Sequence, residues 1–309
     1  MHKGKVVAEK GGYKVIDCEI CEFKHLDPVP SSEELLEFYQ KKYYNLVKRG
    51  GRAPEIRRQM ARGKEAESEL EWLSRTLYSE ILYVLEDQIH NHRRLKHLLD
   101  IGSGTGEFLR YMMNAGWSVI GIEPSEESVQ VASSELTIYT TSLEEFIATH
   151  PDYKNKFDAI TLLNVLEHVP NPVEFLKHTK KLLKPRTGVI CIRVPNDFNE
   201  LQNHAERKLN KTLWWVAIPD HINYFDIESL QKLVKSLGFE VLYTSVDFPM
   251  ELFLLMGDDY IGNPEVGSLC HRKRVSFELS IPDALRREIS QSLARIGIGR
   301  DCMVFAKIK

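Results

Sequence analysis

Short, almost wholly apolar runs alternate along the middle of the chain with stretches whose apolar positions recur every three or four residues. Leu98, Leu99 and Ile101, then 118–122, 157–163 and 188–194, have the composition of strands buried in a parallel sheet. The stretches between them carry helix signals. Ser125 leads into a segment with Val129 and Val131, Ser142 and Glu145 stand at capping-box spacing, and Asn171-Pro172-Val173-Glu174 supplies an N-cap, a first-turn proline and a reaching glutamate to a helix that Pro185 ends. A further helix with Leu230, Leu233, Val234 and Leu237 stops at Gly238. It precedes a sixth strand at 239–243, and 303–306 reads as a last one. Alternation of this kind predicts an α/β, doubly wound sheet whose ligands lie at the carboxyl ends of its strands.

Ahead of Leu98 the periodicity changes. Leu70, Leu73, Leu77, Ile81, Leu85 and Ile89 recur at helical intervals over about 61–90. Before that, Ser31 and Glu34 stand at capping-box spacing ahead of Leu35, Phe38 and Tyr39, and Tyr43-Tyr44 could serve as a lid or simply pack. The glycine- and proline-bearing 50–54 reads as a link. The expected division is an accessory segment at 1–95, mainly helical after a hairpin, a core at 96–245, and a cap insertion with the final strand at 246–309.

Two carboxyl ends of strands carry the chemistry. Asp100-Ile101-Gly102-Ser103-Gly104-Thr105-Gly106 is a glycine turn that lets backbone N–H groups approach a ligand, and the helix start behind it adds more N–H groups. The dinucleotide fingerprint needs a third glycine where Glu107 stands, so a nicotinamide enzyme is disfavoured. Glu123, at the end of the next strand and roughly 20 residues beyond the loop, is placed to accept ribose hydroxyls.

Asp100 with Gly-x-Gly-x-Gly, followed in order by Glu123, Ser142 and Asn164, resembles the class I S-adenosylmethionine-dependent methyltransferases over Leu98 to Thr244. That resemblance implies a Rossmann-like, seven-stranded sheet with the last strand antiparallel. It implies S-adenosylmethionine as cofactor, with S-adenosylhomocysteine as product. Asp100, Gly102, Ser103, Gly104, Gly106, Glu123 and Pro124 would face the nucleoside, Ser142 and Leu143 the adenine, and Asn164 and Val165 the methionine end. His168 is either part of that site or a surface residue.

Beyond the fifth strand, 213–226 combines tryptophans with His221 and Tyr224, a region that in the same family lies close to the transferable methyl. A hydroxyl acceptor needs a base, and an imidazole with an ordinary pKa near 6.5 can supply one at neutral pH. His221 is therefore the candidate base. Tyr224 is the candidate aromatic partner, although capping and core packing are ordinary uses for both residues. Further on, His271-Arg272-Lys273-Arg274 reads either as a solvated basic loop or, turned toward the cleft, as a site for an anionic acceptor such as a phosphorylated or nucleotide-linked sugar.

Cys18-Glu19-Ile20-Cys21 has the spacing of half a zinc knuckle, with no second cysteine pair to complete it. In resembling methyltransferases with a Cys-x-x-Cys-Gly segment, another cysteine pair usually precedes it. Here Glu22 also replaces the glycine, so a plain hairpin is the preferred reading, and zinc would need His2, His25 or another chain. The net charge of −3 gives no nucleic-acid footprint. No apolar run reaches a membrane span, the first residues do not open a secretory signal, and an odd count of 5 cysteines suits a reducing cytoplasm. The expected function is methyl transfer to a small molecule, a hydroxyl of a sugar or specialised metabolite. The alternatives are methylation of protein or RNA, and a non-catalytic module that binds a nucleoside or a partner.

Overall fold

The computed structural model describes residues 2–31, 34–35, 63–89, 95–132 and 134–309. The expectations placed on Phe38, Tyr39, Tyr43, Tyr44 and 50–54 lie outside these residues. The start signal before them is formed: Ser31 N–H donates to Glu34 Oε2 at 2.8 Å and Glu34 N–H to Ser31 Oγ at 3.2 Å.

Eleven strands are present among the described residues: β1 (Gly4–Lys10), β2 (Tyr13–Cys18), β3 (Lys24–Asp27), β4 (His97–Ile101), β5 (Ser118–Ile122), β6 (Ile138–Tyr139), β7 (Ala159–Leu163), β8 (Val189–Pro195), β9 (Asn223–Tyr224), β10 (Phe239–Val246) and β11 (Asp301–Ile308). Seven of them form one sheet in the order β10-β11-β8-β7-β4-β5-β6. Pairing is parallel from β8 to β6, while β11 runs antiparallel to both β8 and β10. The predicted sheet, with its last strand antiparallel, is thus the observed one. Its central strands are mostly apolar because helices cover both faces: Leu98, Leu99, Ile160, Leu162, Ile190 and Ile192 are all fully buried.

The second sheet was not foreseen. β1, β2 and β3 form an antiparallel ladder that is completed by β9, with His25 opposite Asn223 and Lys24 opposite Tyr224. The first thirty residues, expected as a hairpin leading into helices, therefore join a segment some two hundred residues later. Val15, Leu26, Trp215, Val216 and Tyr224 make its small core.

The helical periodicity ahead of β4 resolves into Lys64–Leu73, a π-helical segment Ser74–Tyr78, and Ser79–Gln88. Its apolar face packs on the main sheet: Trp72, Tyr78, Ile81, Val84 and Leu85 share one cluster with Leu98, Phe108, Leu109 and Met112. Packing therefore assigns this helix to the core rather than to an accessory unit ending at 95. After β10, in the stretch expected to hold a cap insertion, Glu251–Leu255, Pro264–Ser280 and Asp283–Arg295 are helical. The basic run 271–274 lies within Pro264–Ser280 and is not a loop.

Candidate active site

The carboxyl ends of β4, β5, β7 and β8, the π-helical segment and the cap enclose one large cleft. At its floor, Gly102 N–H and Ser103 N–H both donate to Ile122 O, at 2.7 and 3.1 Å, stitching the glycine loop to the end of β5. Gly102, Gly104 and Gly106 all have left-handed backbone, with φ of 76°, 53° and 79°. A Cβ at Gly102 would come within 2.5 Å of Val165 Cγ2, whereas one at Gly104 would meet nothing within 4 Å. The middle glycine is therefore the open face of the cradle. Gly106 does not line the cleft; a Cβ there would strike Leu136 Cδ1 at 2.6 Å, so its role is close packing rather than ligand contact.

Glu123 is held ready at the end of β5. Its Oε2 accepts Gly104 N–H at 2.9 Å and its Oε1 accepts Ser125 N–H at 2.9 Å, so the loop and the next helix start both fix the carboxylate. Burial raises its pKa, and these two backbone donors work against the rise. Asp100 lies deeper, accepting Thr161 Oγ1–H at 2.6 Å, with burial pushing its carboxyl up to about 7 against that hydrogen bond. The Ser103 hydroxyl beside it is buried without a hydrogen-bond partner. Pro124, Ser142 and Leu143 form the adjoining wall. Ser142 caps its helix by accepting Glu145 N–H at 3.2 Å, but Glu145 completes no capping box and takes Thr141 Oγ1–H at 2.8 Å instead.

Asn164 and Val165 line the cleft after β7, and Asn164 has left-handed backbone with φ of 57°. Arg193, near the end of β8, receives the Asn164 N–H on its carbonyl at 2.8 Å and donates from Nη1 to Asn164 Oδ1. The same guanidinium donates from Nη2 to Asp247 at 2.7 Å and to Asp301 at 2.8 Å. Arg274 joins Asp247 at 3.3 Å, and its other partner is Glu278 at 3.2 Å. Burial works to raise the Asp247 pKa, but Arg193 and Arg274 overcome it and hold the carboxyl down at about 2. Trp72 closes this corner, with Nε1–H on Glu278 at 2.7 Å and its ring 4.9 Å from the Arg274 guanidinium.

None of Arg193, Asp247, Asp301 or Glu278 was singled out from the sequence. An arginine inside the otherwise apolar Val189–Val194 was the available signal. Of the basic run, Arg274 alone reaches the cleft, already ion-paired; His271 bonds buried Glu69 at 2.8 Å and Lys273 bonds Asp258 at 2.6 Å.

His221 lines the cleft, with its ring centroid 4.9 Å from that of His168. His168 Nδ1–H donates to Asp220 O at 2.7 Å, which leaves Nε2 turned toward Glu167 at 3.8 Å. Glu167 is fully buried, and its carboxyl is pushed up to about 8 by that burial. His168 thus belongs to the site. Tyr224 does not: it is 1% exposed, lies outside the cleft lining and packs in the core of the small sheet. Its position on β9, one residue past the strand's pairing with His25, turns the ring into that core.

Residues 70–244 match the family model described as a methyltransferase domain. That match takes in the glycine loop, Glu123, Asn164 and His221. The chain belongs to this methyltransferase family. Among curated relatives, the methyltransferase is 39% identical over 109 residues to a ubiquinone biosynthesis O-methyltransferase of Actinobacillus pleuropneumoniae, covering 33% of this chain and 46% of the other. It is 33% identical over 94 residues to that of Proteus mirabilis, covering 29% and 38%. The chain spans about half the length of the curated relatives it matches.

Two solved structures share the methyltransferase's fold. An S-adenosylmethionine-dependent methyltransferase from Archaeoglobus fulgidus has a TM-score of 0.50 at 16% identity, over 86% of this chain and 100% of that one. The plantazolicin methyltransferase BpumL, in complex with a substrate analogue and S-adenosylhomocysteine, has 0.50 at 14% identity, over 89% and 94%. S-adenosylmethionine is the cofactor of a methyltransferase of this class, and the residues present fit it. An open glycine cradle, a buried unpartnered Ser103 hydroxyl and a preset Glu123 carboxylate are the donors and acceptors a nucleoside needs.

Proposed function

We propose that this methyltransferase acts on a hydroxyl of a small polar molecule, a sugar or a specialised metabolite. When bound, S-adenosylmethionine supplies a methyl carbon made electrophilic by its sulfonium. The protein's work is then alignment, which can itself lower a barrier by several kcal/mol. Glu123 would take the ribose hydroxyls without having to be ordered first, because Gly104 and Ser125 already hold it. Leu143, 2% exposed at its helix start, offers an apolar wall to the adenine. Asn164 would orient the methionine end, its amide fixed by Arg193.

The observation that carries the reading is that His221 opens on the same cleft as this cradle. Its imidazole is the base placed to take the acceptor's hydroxyl proton as the oxygen–carbon bond forms. Glu167, its carboxyl raised to about 8 by burial, lies beside His168 in the same cleft. The two curated relatives are O-methyltransferases by name, which supports a hydroxyl acceptor. The cleft carries both signs: Asp197, Glu251, Glu278 and Asp301 line it together with Lys10, Arg286 and Arg300, and Arg193 and Arg274 are tied to Asp247. A radiolabelled methyl-transfer assay over neutral and anionic hydroxylated acceptors tests the proposal. Label in a small-molecule product that depends on His221 supports it; label only in protein or RNA, or none, contradicts it.

A further inference from the structure

The second sheet brings together four side chains that the cleft does not use. His2 precedes β1, Cys18 ends β2, Cys21 lies in the turn that follows, and His25 sits within β3. Their ligand atoms all fall within 4.8 Å of one another. His2 Nδ1 is 3.6 Å from Cys18 Sγ and 3.3 Å from Cys21 Sγ. A tetrahedron with metal–sulfur bonds of about 2.3 Å and metal–nitrogen bonds of about 2.0–2.1 Å has edges of roughly 3.3–3.8 Å, so these separations already approach ligand spacing.

The surroundings are arranged as for ligands. Cys21 N–H points at Cys18 Sγ at 3.4 Å, a donor to a sulfur that would carry charge. His25 Nδ1 lies 2.8 Å from Leu26 O, which accepts only an N–H and so leaves Nε2 with its lone pair. That Nε2 is buried and has no hydrogen-bond partner. A backbone carbonyl on one ring nitrogen, with the other left bare, is the arrangement that orients metal-binding histidines. Glu22 takes left-handed backbone, φ 59°, and thereby performs the turn for which glycine is the usual residue. Both cysteines are free thiols.

We propose that His2, Cys18, Cys21 and His25 bind one Zn²⁺ in a closed, structural site. Two thiolates and two imidazoles in a tetrahedral arrangement suit zinc, and a full set of four protein ligands leaves no open position for catalysis. Binding releases the two thiol protons and converts metal affinity into folding energy for a small sheet with little core of its own. The consequence reaches the cleft. Leu26 N–H donates to Ile222 O at 2.9 Å, Ile222 N–H to Glu167 O at 2.8 Å, and Asn223 Nδ2–H to Leu166 O and Val169 O at 3.0 and 2.7 Å. The metal thus anchors β9, which begins two residues after His221, beside the loop bearing Glu167 and His168.

The test is metal analysis of the full chain purified under reducing conditions and dialysed free of loose ions. About one zinc per chain is expected, with zinc lost from Cys21→Ser. His2→Ala, outside any strand, should keep the fold yet bind Zn²⁺ more weakly, by at least the roughly 10–100-fold that loss of an outer-shell partner costs. Co²⁺ added to chelator-treated protein should give the visible bands of a tetrahedral thiolate site. If reduced, folded protein holds no zinc and added Zn²⁺ or Co²⁺ gives neither those bands nor a rise in Tm, the proposal is overturned. A Cys18–Cys21 disulfide whose reduction restores no metal uptake would also overturn it.

Discussion

The carboxylate of Glu123 accepts the backbone N–H of Gly104 at 2.9 Å, across 19 residues of sequence. The residue proposed to hold the ribose is thereby also the residue that shapes the glycine loop. Glu123→Ala should weaken S-adenosylmethionine binding by about tenfold or more, the scale of lost hydrogen bonds to a charged group, while the fold persists. Glu123→Gln should fall between the two. Calorimetric titration with a parallel Tm measurement checks this; unchanged affinity in Glu123→Ala would remove the assignment.

The glycines of the loop are not equivalent. Gly104→Ala should cost only the left-handed strain of roughly 1–2 kcal/mol, since nothing lies within 4 Å of the added methyl. Gly102→Ala adds a collision with Val165 at 2.5 Å, a further penalty of about 1–3 kcal/mol. Urea unfolding should rank them in that order. Gly104→Ala should still lose cofactor affinity, because its methyl points into the open cradle.

His221 and Tyr224 should separate cleanly. His221→Ala is expected to lower kcat by about 10²–10⁴-fold with cofactor affinity retained. Tyr224→Phe, altering a ring packed with Trp215 and Leu26, should leave kcat within about twofold. Steady-state kinetics on both variants, with a common acceptor, provides the comparison.

Asp247 ties stability to acid. Its folded pKa of about 2 lies below the ordinary 3.8, so it stabilises the protein above about pH 4 and that contribution is lost as pH falls from 4 toward 2. Asp247→Asn should flatten this acid limb. At pH 7 it should cost about 3–5 kcal/mol, because Arg193 and Arg274 lose a shared buried partner. Denaturant midpoints measured across pH 2–7 report both effects.

The main sheet was legible because its signals are local. A run such as Leu98 to Ile101 ending in Gly102, or Asn171 capping Pro172, states strand, turn and helix within a few residues. Glu123 could be read for the same reason, from its offset to the loop. The second sheet was not legible, because the pairing of His25 with Asn223 joins distant parts of the chain through backbone bonds that leave no pattern in either segment. Tyr224 was hidden on the same account: the small core it packs in gathers Val15 of β2 and Leu26 of β3 with Trp215 and Val216. The Arg193–Asp247–Arg274 network gathers one residue from each of three distant segments, and only the fold shows that these charges neutralise one another. Cys18 and Cys21 showed half of a knuckle, with His2 and His25 named as what zinc would need and a plain hairpin preferred; the fold brings all four ligand atoms within 4.8 Å of one another.

Binding of the cofactor is the claim on which the rest depends. Isothermal titration of the purified protein with S-adenosylmethionine and with S-adenosylhomocysteine, using NAD as control, tests it most directly. Dissociation constants in the micromolar range for the first two and no heat from NAD are predicted. Protein verified as folded that binds neither sulfur nucleoside would contradict the account and leave a methyltransferase fold put to a non-catalytic use.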